Sequence, residues 1–448
     1  MPGDFSSAAL AEARAAAAAP NLPDEDRSDI PFVTVDPAGS RDLDQAVHID
    51  RSGDGYLVSY AIADVASFVR PGSALEAETL QRGETLYFPD ARVPLHPPEL
   101  SEGAASLLPN QVRPAVLWSI GLDATGEVSS VDVRRARIRS TAQLDYAGLQ
   151  QQIEAGSPPD AFTLLREVGT LRRRLARARH SINLDLPEQD AEKASDGGYT
   201  ITLRAPLPAE GWNAEISLLT GMCAAKIMMD AGHGILRTVP PPDEHAIGTL
   251  QAAARALGIE YPDDARPGDV LASVDPRDPR RVALLEHASA LLRGSAYTVF
   301  DGAPPEQPLH AGIGAPYAHV TAPLRRLVDR FATEICLAAH GEIQTPQWVL
   351  DRLPQLPALM AAADHRAHEA DRAVIDMTEA WLLQHRLGEQ FRATVIDANT
   401  HSATIVLDDP VVRAKCSGDG LRVGSSITVT LAAADVAKRT VSFTAEKS

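Results

Sequence analysis

Three carboxylates near the start of the chain could do metal chemistry. Asp36, Asp42 and Asp44 lie in the segment TVDPAGSRDLDQAVHID, residues 34–50, where Pro, Gly and Ser predict a loop between two strands. Carboxylates this close repel one another unless something positive lies among them. Hard oxygen ligands suit Mg²⁺ or Mn²⁺, which keep some waters and bind substrate phosphate. An exposed acidic loop without a ligand is the alternative, and the spacing alone leaves both interpretations open.

A second segment could bind an anion. YAHVTAPLRRLVDRFATEI, residues 317–335, begins with Thr321 as a potential N-cap and Pro323 in a first helical turn. That placement would put Arg325 and Arg326 at the positive end of the helix dipole, where each cation costs about 0.3–1 kcal/mol. A docked phosphate would remove that cost. The segment therefore predicts a phosphate-binding helix end, with a solvent-facing arginine pair as the alternative.

The elements that must position these residues change in character along the chain. Extended patterns predict strands at 31–36, 45–50, 56–69, 113–122 and 128–138. Helical periodicity predicts helices near 145–155, 158–180, 213–232, 243–257, 282–297, 323–341 and 364–387. After residue 388, short strands at close spacing are typical of a five-stranded barrel of the OB type, although another small barrel or an extension of the main sheet would also fit. Strands first and helices later predict an α+β (mixed α/β) domain followed by a small all-β barrel.

The positive charge of the chain is clustered. The formal net charge is −18, and 44% of the residues are hydrophobic. Net charge governs solubility and steering and does not determine a local site. Arginine, whose planar fork suits phosphate, accumulates within residues 134–139, 172–179 and 325–326. Such runs permit nucleic-acid binding, and solvated helix faces are the alternative.

Other features of the sequence bear on its compartment. Cys223, Cys336 and Cys416 are far apart and match no metal or redox spacing, so we expect packing residues in a reducing cytosol. No apolar run approaches the roughly 20 residues of a membrane span, and no signal peptide is evident. We therefore expect a cytoplasmic protein that does not contact a membrane. The alanine-rich residues 8–19 predict a short exposed helix or a frayed tail.

Together, the two functional segments resemble the catalytic RNB domain of the ribonuclease II and ribonuclease R family. The acidic segment is similar to the family's T-[IV]-D-x5-D-x-D-D motif, and the arginine segment to its Y-x-H-x-T-S-P-I-R-R-Y-x-D motif. Residues 60–115, INLDLPE at 182–188 and NAEISLLTGMCAAKIM at 213–228 follow in family order. The resemblance covers about residues 25–385. It implies an N-terminal helix or tail at 1–24, an RNB catalytic domain at 25–387 and an OB-fold RNA-binding domain at 388–448.

The resemblance also implies a role for individual residues. Asp36, Asp42 and Asp44 would hold Mg²⁺, with Mn²⁺ as a possible substitute. Asp44 would be the aspartate on which cleavage most depends, and Arg325 would grip the phosphate being cut. The implied substrate contacts are Tyr87, stacked on the 3′-terminal base, Arg326 on the RNA backbone, Glu215 near the terminal nucleotide and Leu184 opposite Tyr87.

Three departures from the family pattern bear on function. Gln45 stands where the family has a fourth aspartate, so we expect a weak metal ligand and a higher metal requirement. Leu184 replaces an aromatic residue and would loosen the clamp on the terminal bases. About 30 residues precede the RNB-like region where the family carries two cold-shock-type OB domains, so RNA capture would differ.

The function that the resemblance implies is processive 3′-to-5′ exoribonuclease activity. The enzyme would degrade single-stranded RNA ends to nucleoside 5′-monophosphates by Mg²⁺-assisted hydrolysis, as a monomer. One alternative is a catalytically weak RNB-fold protein that binds RNA without cutting it. Another is a metal-dependent phosphoesterase for small substrates.

Overall fold

The computed structural model describes residues 2–156, 160–184, 188–193, 198–262, 264–274, 284–285 and 287–445. Its helices are α1 (Ser7–Ala18), α2 (Ala74–Arg82), α3 (Tyr146–Glu154), α4 (Asp160–Ala178), α5 (Pro208–Ala231), α6 (Glu244–Ala256), α7 (Pro267–Ser273), α8 (Leu327–His340), α9 (Gln347–Arg352) and α10 (Leu356–Leu383). The strands of the first part are β1 (Phe32–Asp36), β2 (Gln45–Ser52), β3 (Gly55–Ala63), β4 (Leu86–Tyr87), β5 (Arg92–Val93), β6 (Val112–Leu122) and β7 (Val128–Asp145). The later strands are β8 (Glu188–Lys193), β9 (Tyr199–Arg204), β10 (His233–Thr238), β11 (Ala296–Asp301), β12 (Leu309–His310), β13 (Ala315–Pro316), β14 (Gln390–Ala398), β15 (Ser402–Leu407), β16 (Arg413–Ser417), β17 (Ser426–Asp435) and β18 (Thr440–Ala445).

The first five long strands close into a barrel. The order is β1-β2-β3-β6-β7, and β7 returns to pair with β1 in parallel. Tyr60 on β3 lies opposite Trp118 on β6, and both side chains are fully buried. Such cross-strand aromatic pairs stabilise a sheet by packing across its face. The barrel holds the acidic segment, because the loop between β1 and β2 runs from Asp36 to Asp44.

Helices cover this barrel and share its hydrophobic core. Helix α5 packs against α4 and α8, and its Ile216, Leu219 and Met228 are completely buried. A side chain at Gly221 would lie 2.1 Å from the ring of Tyr317, so glycine is what lets α5 approach the segment that leads to the arginine pair. The core therefore fixes the distance between the barrel and that segment.

The last five strands form a second closed barrel. The order is β14-β15-β16-β18-β17, with β16 and β18 parallel. Phe391 and Phe443 meet edge to face in its core, with ring centroids 5.8 Å apart. Leu383 at the end of α10 is part of the same core, which attaches the barrel to the helical region. The expected α+β architecture with a small terminal barrel is confirmed.

The expected N-terminal helix is present, but it is docked on the protein, so the expectation that it is exposed is wrong. Ala9 and Ala13 on α1 are fully buried in the cluster that surrounds the barrel end. The carboxylate of Glu12 accepts hydrogen bonds from the backbone N–H groups of Ala74 and Leu75, at the start of α2. Small side chains allow this close approach, and the capping carboxylate satisfies two N–H groups that a helix start leaves without partners.

Other expectations meet mixed outcomes. The run at 56–69 is a strand only to Ala63, and a 3₁₀ turn follows at Val65–Ser67. The helix expected at 282–297 falls partly outside the described residues, and β11 begins at Ala296. The three cysteines are free and buried, as expected. Within the described part of the chain, no helix is both long and apolar enough to cross a membrane.

Candidate active site

The acidic loop is anchored by the apolar residue in its middle. Leu43 is fully buried, its N–H donates to Ser106 Oγ at 3.0 Å, and its carbonyl accepts from the N–H of Leu107. With Leu43 fixed in this way, Asp44 enters β2 with its carboxylate inside the protein, 2% exposed. Asp36 ends β1 at the other side of the loop. The barrel therefore holds both ends of the loop rigidly.

Asp44 joins the acidic loop to the arginine segment. Its Oδ1 accepts from the N–H of Leu324 at 2.7 Å, and its Oδ2 accepts from Arg325 Nε at 3.1 Å. Burial raises the pKa of Asp44 to about 7, while the Arg325 charge and the Leu324 N–H oppose the rise. The two motifs that the sequence separates therefore meet at one ion pair.

The arginine pair lies before the helix, so the expected start at Thr321 and Pro323 is wrong. Helix α8 begins at Leu327, and Arg326 has extended backbone with φ −139° and ψ 119°. The backbone here bonds to the segment after α2: Thr85 N–H donates to Arg325 O, and Leu327 N–H donates to Gly83 O. Those bonds replace the first helical turn.

The two arginines have different surroundings. Arg325 keeps 47% of its side chain exposed while its Nε bonds Asp44. Arg326 is 20% exposed and donates two hydrogen bonds to the buried carboxylate of Asp329, at 2.7 and 2.9 Å. Burial disfavours the charge of Arg326, yet Asp329 holds its pKa above the usual range. Arg325 is thus the one of the pair that presents its guanidinium outward, and a backbone contact by Arg326 stays a prediction.

Tyr87 lies over the acidic loop. Its hydroxyl donates to Asp42 Oδ2 at 2.6 Å, and the residue is 48% exposed. Arg92 pairs with Tyr87 across the β4–β5 hairpin and places its Nη1 3.4 Å from Asp42 Oδ1. Burial and the neighbouring Asp42 charge raise the pKa of the Tyr87 hydroxyl, so it stays a donor. The hairpin thereby presents a fixed aromatic face beside the carboxylates.

The three aspartates do not surround one point. Among the described residues, no three His, Cys, Asp or Glu side chains are placed to hold one ion. Joint metal ligation by all three aspartates stays a prediction: the Asp44 oxygens face Leu324 and Arg325, and the Asp42 oxygens face Tyr87 and Arg92.

A smaller donor set still fits a divalent ion. Asp36 Oδ2 is buried without a hydrogen-bond partner. Burial raises the pKa of Asp36 to about 6; the Arg325 charge opposes that rise and the Asp42 charge adds to it. An orphaned carboxylate oxygen beside a second carboxylate matches Mg²⁺, which commonly takes one or two carboxylates together with waters and phosphate. Asp36 and Asp42 are the residues that fit.

The side-chain amide of Gln45 is hydrogen-bonded within the protein. Its Nε2 donates to the Thr321 carbonyl at 2.6 Å, and its Oε1 accepts from the Tyr60 hydroxyl at 2.8 Å. A carbonyl cannot donate, so this contact fixes which end of the amide is nitrogen. Gln45 thus ties β2 to the segment before the arginine pair. One lone pair of its oxygen is left, and metal ligation by Gln45 stays a prediction.

Glu215 and Leu184 lie in other surroundings. Glu215 on α5 is 5% exposed and interacts electrostatically with Arg172 and Arg179. Leu184 packs partly buried against the apolar cluster that contains α6 and Ile396 of the second barrel. The residues after it, 185–187, lie outside the described part of the chain. Contacts of Glu215 and Leu184 with RNA remain predictions.

A group of polar side chains near the carboxylates was not predicted from the sequence. Asn213 Nδ2 donates to the Tyr146 hydroxyl at 3.3 Å, and burial, followed by the Asp36 charge, raises the pKa of Tyr146. The Tyr60 hydroxyl lies 2.7 Å from Ser217 Oγ. Asn213 and Ser217 are four residues apart on α5 and so share a helix face. That spacing is the one signal that could have identified them.

Comparison with known proteins gives consistent matches. The RNB domain family matches residues 24–339, and the RNase II-type exonuclease C-terminal S1 domain family matches residues 389–446. Ribonuclease R of Escherichia coli is 27% identical over 416 residues, covering 86% of this chain and 50% of that protein. The chain thus spans about half the length of the curated relatives it matches.

Solved structures share the fold. RNase R of Mycoplasma genitalium, in complex with ribose methylated single-stranded RNA, superposes with a TM-score of 0.87 at 18% identity, over 99% of this chain and 76% of that one. Yeast Ssd1, described as a pseudonuclease, superposes with a TM-score of 0.73 at 16% identity, over 98% of this chain and 54% of that one. At such identities the likeness concerns the fold alone.

Proposed function

The chain belongs to the RNB domain family, and from that premise we propose that it hydrolyses RNA from the 3′ end, one nucleotide at a time. The observation that carries the proposal is the ion pair between Asp44 and Arg325. It joins the acidic loop to an outward-facing guanidinium, which interacts electrostatically with the exposed Tyr87. Phosphate, metal and base could therefore be recognised within one site.

The residues divide the work as follows. Arg325 contacts the scissile phosphate and stabilises the charge that develops on it, and Asp44 holds the guanidinium in place through Nε. Tyr87 stacks on the 3′-terminal base, with its hydroxyl fixed on Asp42. The buried polar groups around Tyr60 exclude bulk water from the floor of the site.

A divalent ion completes the site that we propose. Exonucleases of the RNB family depend on a divalent metal. We propose Mg²⁺, with Mn²⁺ as a substitute, held by Asp36 and Asp42. When bound, such an ion lowers the pKa of a water nucleophile and stabilises the leaving 3′ oxygen. Asp36 Oδ2, buried without a partner, supports this assignment.

The remaining properties are inferred from the same premise. We propose that single-stranded 3′ ends are degraded processively to nucleoside 5′-monophosphates by a cytoplasmic monomer. The division into 1–24, 25–387 and 388–448 is retained, and the second barrel would bind RNA upstream of the cut. A closed five-stranded barrel of OB type is a common platform for single strands.

One rival has an observation in its favour. A pseudonuclease shares this fold, so the architecture alone is compatible with RNA binding without cleavage. The retained Asp36, Asp42, Asp44, Arg325 and Tyr87 favour a nuclease over that rival. A phosphoesterase for small substrates would need no second barrel, and it predicts turnover of dinucleotides with no preference for long RNA.

The deciding experiment follows 5′-labelled single-stranded RNA with Mg²⁺ or with EDTA. We expect stepwise shortening from the 3′ end with Mg²⁺, loss with EDTA, and loss in the Asp44→Asn variant. Asp50→Asn is the matched control, because Asp50 lies on the same strand and its side chain is 59% exposed. Intact RNA with ample Mg²⁺ would refute the proposal, and cutting of circular RNA would indicate an endonuclease.

A further inference from the structure

A cleft of about 420 Å³ lies beside the hairpin that carries Tyr87. The turn of that hairpin, helix α10, strand β9 and the β17–β18 turn supply its walls, through Phe88, Asp90, Tyr199, Met377, Trp381 and Val436. We propose that this cleft binds a nucleobase of the RNA strand, upstream of the 3′-terminal nucleotide. The inference rests on the proposed function, because it assumes that the strand reaching Tyr87 is RNA.

The cleft presents an exposed aromatic surface held in a fixed orientation. Trp381 is 41% exposed and Met377 is 47% exposed, and these residues are one helical turn apart on α10. Tyr199 meets Trp381 edge to face, with centroids 6.5 Å apart and ring planes at 89°. The Tyr199 ring restricts the rotation of the indole, part of which remains exposed, and an exposed indole can stack on any base. The apolar surface is therefore organised for a flat ligand.

The polar chemistry of the cleft favours a base over a phosphate. Asp90 accepts from the Tyr199 hydroxyl at 2.8 Å, so its carboxylate lies at the cleft wall. Within the described residues, the cleft lining includes no lysine or arginine. A carboxylate repels a phosphate but accepts hydrogen bonds from the amino group of a base such as cytosine. The backbone phosphates would accordingly stay outside while the base enters.

The cleft and the candidate active site lie on two sides of one hairpin. Tyr87 and Phe88 are consecutive, and consecutive side chains of an extended segment point to opposite faces. Tyr87 contacts Asp42, whereas Phe88 lines the cleft, in a turn closed by a 2.8 Å bond from the Phe88 N–H to Ala91 O. A strand with its last base on Tyr87 that runs past the tip of this turn therefore meets the cleft next. Val436 of the second barrel closes the far wall.

The test measures RNA binding in the Asp44→Asn background, which the proposed function expects not to cleave. Anisotropy with labelled oligocytidylates of increasing length gives the dissociation constant for each length. Adding Trp381→Ala should weaken binding of long oligonucleotides by roughly 5- to 150-fold, the equivalent of about 1–3 kcal/mol of stacking per base. The shortest oligonucleotides, which end before the cleft, should bind unchanged. Trp381→Phe should restore most of the affinity.

A scan with single abasic nucleotides locates the base. We expect one nucleotide position at which removing the base weakens binding to the protein that retains Trp381. Removing the same base should not weaken binding to the Trp381→Ala protein. Additive losses at every position would overturn the proposal. Ile343→Ala is the control for loss of exposed apolar surface, since Ile343 is 68% exposed and lies outside the cleft lining. It should leave every affinity unchanged.

Tryptophan fluorescence gives an independent readout. Trp118 is fully buried, and Trp212 and Trp348 pack partly buried on the same core, so RNA should quench mainly Trp381. Fluorescence quenching that persists in Trp381→Phe would overturn the assignment. It would also be overturned if the chain self-associates and Trp381→Ala abolishes that self-association. If Trp381→Ala does not fold, Met377→Gln takes its place. If the Asp44→Asn protein binds no RNA at any length, the proposed function is refuted. If it binds RNA normally and Trp381→Ala has no effect, only the assignment of the cleft is refuted.

Discussion

Asp44 and Arg325 are 281 residues apart in the sequence and 3.1 Å apart in the structure, from carboxylate Oδ2 to guanidinium Nε. The contact uses the inner nitrogen of the guanidinium. The two terminal nitrogens are left to make two parallel hydrogen bonds to a phosphate. Asp44 therefore orients Arg325 without covering the nitrogens that would meet the substrate.

Replacing Arg325 with lysine tests this geometry. Lysine keeps the charge but cannot bond Asp44 and phosphate through a planar fork. We expect Arg325→Lys to lower the single-turnover rate by about 10²- to 10³-fold, with little change in RNA affinity. Arg51→Lys, whose side chain is 59% exposed in an ion pair with Glu167, is the matched control. An unchanged rate for Arg325→Lys would contradict the assignment of Arg325 to the phosphate.

Gln45 offers a test of the metal assignment. Its amide bonds Thr321 and Tyr60, so we expect Gln45→Ala to displace the arginine segment and lower kcat by about 10- to 100-fold. Because Gln45 is also predicted to ligate the metal weakly, the Mg²⁺ concentration for half-maximal rate should rise in Gln45→Ala and fall in Gln45→Asp. An unchanged concentration in both variants would mean that Gln45 is not a metal ligand.

A buried ion pair between α2 and α8 predicts a large stability effect. Arg330 Nη1 lies 2.9 Å from Glu76 Oε1, and both side chains are at most 3% exposed. Glu76→Gln leaves a buried charge unpaired and should lower the free energy of unfolding by about 3–5 kcal/mol, measured with urea.

Two controls accompany that measurement. Glu99→Gln removes a surface pair with Arg14, whose side chain is 67% exposed, and should change stability by less than about 1 kcal/mol. The double variant Glu76→Leu/Arg330→Met removes both charges and should be less destabilised than Glu76→Gln. If it is more destabilised, the pair contributes net stability.

His96 predicts a dependence of stability on pH. Burial lowers its pKa to about 4, and its Nε2–H donates to Pro323 O at 3.2 Å, so the ring is neutral. The unfolded chain binds this proton more readily, with a pKa near 6.5. Stability is therefore complete above about pH 6.5 and falls as the pH drops towards 4, by about 2 kcal/mol at pH 5.

The His96→Gln variant isolates this contribution. Glutamine keeps an N–H donor for the Pro323 carbonyl but does not titrate. Urea unfolding at pH 7 and at pH 5 should show a smaller loss in the variant than in the parent. Equal losses would mean that His96 is not the group responsible, and His310, whose burial also lowers its pKa to about 4, would be examined next.

The sequence identifies the strands of both barrels and the acidic loop because their patterns are local. It places the start of α8 wrongly, since the bonds from Arg325 and Leu327 go to residues 83–85, far away in the chain. The same holds for the contact between Tyr87 and Asp42, which depends on how the β4–β5 hairpin folds over the barrel. Local propensity determines elements, whereas contacts across the chain determine the site.

Helix α2 has a mechanical consequence for catalysis. Its start is capped by Glu12 of α1, its first turn is tied to α8 through Glu76, and the chain that leaves it at Gly83 supports the backbone of the arginine pair. Loosening α2 would let the guanidinium of Arg325 drift from the phosphate. Substitutions in a region remote from RNA could thus slow turnover while every residue that touches the substrate remains intact.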